Sequence, residues 1–256
     1  MKNIRMGGCT HSPSEVLLFK KYGYDFIESH FRLVNEMSER EFEELLAVTR
    51  ETGVLAEGMN CFADPPMRLL ECSFSELDDY LERGLIRPKR MGTEYIVIGS
   101  GGARRIPEGM NYEAATEKFV TMLSRYGKIA DQYDVDIVLE PLFKKGCNFI
   151  NTFREGVEIC KQVNHPRVGC LMDFFHSHQE NEPFSVLGEA GSFLKHIHFS
   201  TLDRRIPVNG DEEETRMLID ALKAIRYRGR VTMEGDAFHD LEQELCEFSK
   251  QFPLFE

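Results

Sequence analysis

Apolar residues recur along this chain in two alternating patterns. Short β-branched runs predict strands at residues 4–9 (IRMGGC), 25–29 (DFIES), 54–60 (VLAEGMN), 94–100 (EYIVIGS), 136–142 (DIVLEPL), 168–174 (VGCLMDF), 195–200 (KHIHFS) and 230–236 (RVTMEGD). Between them, apolar positions three and four apart face polar ones and predict helices at Glu39–Glu51, Tyr112–Asp131, Thr152–Val163 and Glu213–Arg226. Strands alternating strictly with helices imply a parallel sheet. Eight such units in 256 residues suit a closed (β/α)8 barrel forming a single domain over residues 1–256. An open doubly wound sheet would carry a GxGxxG turn after its first strand, and GGCTHSP lacks that spacing.

Composition narrows the partners. The net charge is −12, and no basic block exceeds a pair of arginines. Phosphate contacts dominate nucleic-acid affinity, so this balance argues against a nucleic-acid partner and for a small, locally recognised substrate. No apolar run approaches the ~18–20 residues that span a bilayer. The start, MKNIRMGGCTHSPSE, has no apolar signal-peptide region, so the expectation is a soluble cytoplasmic protein with no membrane partner. Seven cysteines without a CxxC pair read as reduced thiols.

The chemistry gathers at strand ends, which face the active site in a barrel of this kind. Strands five to eight end in Glu140, Asp173, His198 and Glu234, each inside an apolar run: VLEPL, CLMDFF, HIHFS and VTMEG. A buried carboxylate is costly unless paired or bound to metal, and no lysine or arginine occupies a matching strand interior. Three carboxylates and one imidazole form a hard ligand set suited to one divalent ion, Mn2+ or Mg2+ first, then Co2+ or Zn2+. Such an open set is catalytic in type, since structural zinc prefers Cys/His closure. In LMDFFHSH, His176 and His178 follow the aspartate closely, and the second reads as a loop residue. His196 shares the parity of His198 and is expected deeper in the barrel. Glu28 and Asn60 end strands two and three on the same face. Arg104 and Arg105, beside the glycines of GSGG, are placed to hold a phosphate or carboxylate.

The segments GYDFIES, LEPL followed by NFINT (148–152), MDFFH, KHIHFSTLDR and TMEGD occur in an order that resembles the xylose isomerase-like TIM barrels. The nearest branch is that of the sugar isomerases and epimerases, including ketose 3-epimerases and hydroxypyruvate isomerase. The resemblance implies that Glu140, Asp173, His198 and Glu234 are metal ligands, with Glu140 and Glu234 also the acid/base pair. It implies that His176 and Arg204 contact substrate oxygens, and that the chain forms a homodimer. Glu28, Asn60 and Arg104 are added as candidate substrate contacts on position alone. The implied reaction is isomerisation or epimerisation of a sugar, keto-sugar or sugar phosphate through a metal-stabilised enediolate.

Two departures from the ketose 3-epimerase pattern stand out. The second glutamate, six residues after the first, is Gly146, and the Asn-Arg after EPL is Phe143-Lys144. A lyase or dehydratase acting on keto-sugars, inositols or C-glycosides would use the same ligands. An AP-endonuclease-like DNA-repair enzyme with three zinc ions needs histidines on strands three and four, where GMN and IGS stand instead.

Overall fold

The structure, a computed structural model, describes residues 4–235 and 240–256. The strands are β1 (Arg5–Cys9), β2 (Phe26–His30), β3 (Ala56–Asn60), β4 (Tyr95–Ile98), β5 (Asp136–Leu139), β6 (Val168–Asp173), β7 (Leu194–Phe199) and β8 (Arg230–Met233). They pair in chain order, all parallel, and β8 returns to β1 to close the barrel. Each lies on one of the eight sequence candidates. Asp236, the last residue of the eighth candidate, falls outside the described residues.

The four expected helices form at Glu39–Thr52, Tyr112–Tyr133, Phe153–Val163 and Glu212–Ala224. Local chemistry starts them. Ser38 with Glu41, and Thr152 with Glu155, form reciprocal capping boxes that satisfy otherwise orphaned backbone N–H groups. Their apolar faces pack on the outside of the barrel, where most of the core lies, including Phe42, Phe119, Phe153 and Leu218. No helix among the described residues is long and apolar enough to cross a membrane.

The barrel interior is a separate, smaller layer. Tyr95, Val97, Val138 and Leu171 form its apolar floor. Tyr95 can turn inward only because β3 carries Gly58 opposite, where a Cβ would lie 2.2 Å from the ring. Side chains two residues apart on a strand share a face, so Val138 leads to Glu140, Leu171 to Asp173, His196 to His198 and Thr232 to Glu234. The four ionisable residues are therefore the uppermost inward-facing side chains of their strands or of the first residue beyond them.

The loops that follow the strands are bent sharply. Among the described residues, Cys61, Ser100, Ile150 and Arg204 adopt left-handed backbone with φ of 47°, 44°, 58° and 70°. Such conformations cost about 1 kcal/mol or more for residues with a Cβ and tend to cluster at functional sites.

Candidate metal centre

Donor atoms of Glu140, Asp173, His198 and Glu234 all lie within 4.8 Å of one another. His198 is fully buried, and its Nδ1 stands 3.2 Å from Glu140 Oε1 and 2.9 Å from Glu234 Oε2. Asp173 divides its two oxygens. Oδ1 accepts the backbone N–H of His176 at 2.7 Å and so caps a short helix, Phe174–Gln179. Oδ2 accepts from Arg204 Nη1 at 2.9 Å, while Arg204 Nη2 donates to Glu234 Oε2 at 2.8 Å.

Glu140 is set by its neighbours on every side. Its backbone N–H donates to Ile98 O, and its carbonyl accepts from the buried guanidinium of Arg104 at 2.8 Å. Beneath its carboxylate lies Gly99, the residue that ends β4's run before the left-handed turn at Ser100.

The electrostatics of the cluster are unbalanced. Four carboxylates, those of Glu28, Glu140, Asp173 and Glu234, face one guanidinium and two imidazoles, and burial keeps one of these, His196, neutral. Even with both cations charged, two negative charges remain uncompensated in a buried site, which is unfavourable without a counter-ion. Burial and the neighbouring charge of Glu234 push the Glu140 carboxyl above the usual carboxylate range. Burial would also raise Glu234, but His198 and Arg204 overcome it and hold that carboxyl well below the usual range. Burial opposes charge on His198, yet Glu28 and Glu234 prevail and raise its pKa. The donor set and the excess charge both fit a divalent cation, which Glu140, Asp173, His198 and Glu234 would hold.

Next to the cluster lies a cavity of about 310 Å3, lined among others by Cys9, Thr10, His30, Asn60, Arg204 and Glu234. That volume suits a small polar ligand. Asn60 reaches Glu234 Oε1 at 3.5 Å and Cys9 Sγ at 3.3 Å. On the opposite flank His176 is buried and stacked on Phe143, with ring centroids 5.2 Å apart. Its Nδ1 finds no hydrogen-bond partner among the described residues. Phe175 extends this wall and carries the Arg204 guanidinium 5.3 Å above its ring.

Several expectations change. Arg104 is fully buried and donates to Ile98 O and Glu140 O, so it supports the site's backbone and does not face the cavity. Glu28 is fully buried at the cavity floor, where Tyr95, His196 and His198 surround its carboxylate. Arg204, expected at substrate oxygens, lines the cavity and forms ion pairs with Asp173 and Glu234. His178 is exposed, but on the short helix, not a loop. His196 does sit deeper than His198, beside Tyr95 and Thr232. The cavity is also lined by Cys9, Thr10, His11, Glu15, His30 and Cys61, none of them among the site residues expected from the sequence. Reading the ends of β1 and β2 as closely as those of β5 to β8 would have found Cys9 and His30.

Comparisons with known proteins agree with this architecture. D-psicose 3-epimerase of Ruminiclostridium cellulolyticum is 34% identical over 119 residues, which take in 46% of this chain and 40% of that protein. D-psicose 3-epimerase of Agrobacterium fabrum is 25% identical over 223 residues, 84% of this chain and 75% of that one. The solved structure of D-psicose 3-epimerase from Clostridium cellulolyticum H10 with D-tagatose superposes with a TM-score of 0.81, at 20% identity and 98% coverage of both chains. At that identity the superposition speaks for the fold alone. The sequence pattern of the xylose isomerase-like TIM barrels matches residues 16–251, and the chain belongs to that family.

Proposed function

We propose that the chain is a divalent-metal-dependent epimerase or isomerase that moves a proton at the carbon beside the carbonyl of a ketose or related keto-sugar. The observation that carries this reading is the convergence of Glu140, Asp173, His198 and Glu234 at the mouth of the barrel, with donor atoms within 4.8 Å. The relatives named D-psicose 3-epimerase support the sugar as substrate class.

A bound Mn2+ or Mg2+ would supply Lewis-acid stabilisation of the charge that builds on an enediolate. The chain's own residues do the rest. Glu140 from the end of β5 and Glu234 from the end of β8 bring two carboxylates to one point from different strands. One takes the proton from carbon and the other returns it, which permits inversion at that carbon. Arg204, already bridging Asp173 and Glu234, orients Glu234 and offers its charge to substrate oxygens. His176, whose buried Nδ1 has no partner among the described residues, would meet a substrate hydroxyl. Phe143, where ketose 3-epimerases carry asparagine, sets the ring of His176 by stacking, so this flank is apolar.

The test is incubation of the Mn2+-loaded protein with a panel of ketoses and ketose phosphates in D2O, followed by NMR. Deuterium at the carbon beside the carbonyl, in recovered sugar and its epimer, is the expected result. Dehydrated or cleaved product would replace this reading with a lyase. No exchange into any sugar would overturn it.

A further inference from the structure

We infer that Glu28 is a positioning residue that fixes the His198 imidazole with its proton on Nε2 and its lone pair on Nδ1, ready for the metal. This rests on the reading of His198 as a ligand. The two ring nitrogens of His198 face different chemistry. Nδ1 faces Glu140 and Glu234, the other members of the cluster. Nε2 points down into the barrel, 3.1 Å from Glu28 Oε1 and 3.2 Å from Oε2. An ionised carboxylate can only accept, so the nitrogen facing Glu28 must be the donor. In the neutral ring the other nitrogen then carries the lone pair.

Glu28 is itself held. Tyr95 Oη donates to its Oε2 at 2.7 Å, Thr232 Oγ1 donates at 3.3 Å, and His196 Nε2 lies 3.3 Å away. All five side chains are buried inside the barrel. His196 also stands edge-on to the His198 ring, centroids 5.1 Å apart and planes at 88°, which blocks rotation of the ring. The sequence places these residues one layer below the cluster on β2, β4, β7 and β8, so the support is built from four strands. Metal-bound histidines in general depend on such a partner, and its loss typically weakens metal binding 10–100-fold. Glu28, His196 and His198 are also close enough to suggest a second cation site. The donors from Tyr95, Thr232 and His196 all gather on Oε2, while Oε1 has no hydrogen-bond donor of its own among the described residues and lies 3.1 Å from His198 Nε2, an arrangement turned towards His198 that favours the positioning role.

The experiment compares the chelator-stripped wild type with E28Q and Y95F, by Mn2+ titration and by 15N NMR of the imidazoles in the Zn2+-loaded chains. Wild type is expected to bind one Mn2+ and to show His198 protonated at Nε2. E28Q, whose amide can donate to Nε2, is expected to fold as judged by circular dichroism, to bind Mn2+ about 10–100-fold more weakly and to lose the single tautomer. Y95F keeps the carboxylate and should fall between the two. E28Q binding Mn2+ as tightly as wild type, or two Mn2+ per wild-type chain, would overturn the assignment. Should E28Q not fold, the wild-type spectrum decides, because a proton on Nδ1 of His198 is incompatible with it. A wild type that binds no Mn2+ overturns the metal reading itself, a distinct result.

Discussion

A Cβ on Gly99 would lie 2.1 Å from Oε2 of Glu140, closer than real atoms approach. The glycine at the end of β4 is therefore what lets the Glu140 carboxylate lie over its neighbour and reach His198. G99A should displace that carboxylate while leaving the barrel intact. We expect Mn2+ affinity and proton-transfer rate each to fall about 10–100-fold, with the far-ultraviolet circular dichroism spectrum unchanged. An unaltered Mn2+ affinity would remove Glu140 from the ligand set.

Arg204 neutralises Asp173 and Glu234 in the absence of any metal. R204M strips both carboxylates of their guanidinium. Because Arg204 retains 26% of its side-chain exposure, the loss should be about 1–3 kcal/mol, below the cost of breaking a fully buried pair. Thermal unfolding of the chelator-treated variant checks this, and Mn2+ should raise its Tm by more than it raises that of the wild type.

Arg104 offers the opposite signature. Its role is to hold Ile98 O and Glu140 O together at the top of β4 and β5. R104M should cost about 1–3 kcal/mol of stability by leaving the buried Glu140 carbonyl unpaired. Steady-state kinetics should show a lower kcat with KM little changed, since the side chain does not face the cavity. A large rise in KM alone would restore the expectation of a substrate contact.

Stability should fall on the acid side through His196. Burial outweighs the hydrogen bond to Glu28 and lowers its pKa from 6.5 to about 4. Between those values the unfolded chain binds a proton that the folded chain refuses, so stability rises with pH across that window. The full swing is roughly 3 kcal/mol, present above pH 6.5 and lost on descending to about 4. Denaturant unfolding at several pH values checks it, and H196Q should flatten the slope. His198 acts in the opposite sense. Its raised pKa stabilises the metal-free fold fully below 6.5 and loses that contribution as pH rises through the folded value. Chelator-treated protein should therefore lose Tm at alkaline pH.

Short β-branched runs marked all eight strands because parallel barrel strands are buried on both faces, and the last inward residue at the ends of β5 to β8 was in each case ionisable. That pattern could not show which side chains meet across the barrel. Glu28, Tyr95, His196 and Thr232 sit on four strands and form one network only when the barrel closes. Arg104 reads from the sequence as a substrate contact because it stands in a glycine-rich, basic loop. The left-handed backbone at Ser100 precedes the single helical turn Gly101–Arg104 on which that side chain turns inward. The helix after Asp173 was hidden because FFH continues the apolar run of β6, and only the capping bond from His176 N marks the change.

The central claim is that Glu140, Asp173, His198 and Glu234 together hold one divalent metal. Mn2+ titration of the stripped wild type beside D173N and H198N tests it most directly, with elemental analysis of the reloaded proteins. The account predicts one metal per wild-type chain and affinity reduced at least about 10-fold in each variant, with the fold retained. Wild type that takes up no divalent metal, or variants that bind it unchanged, would contradict it.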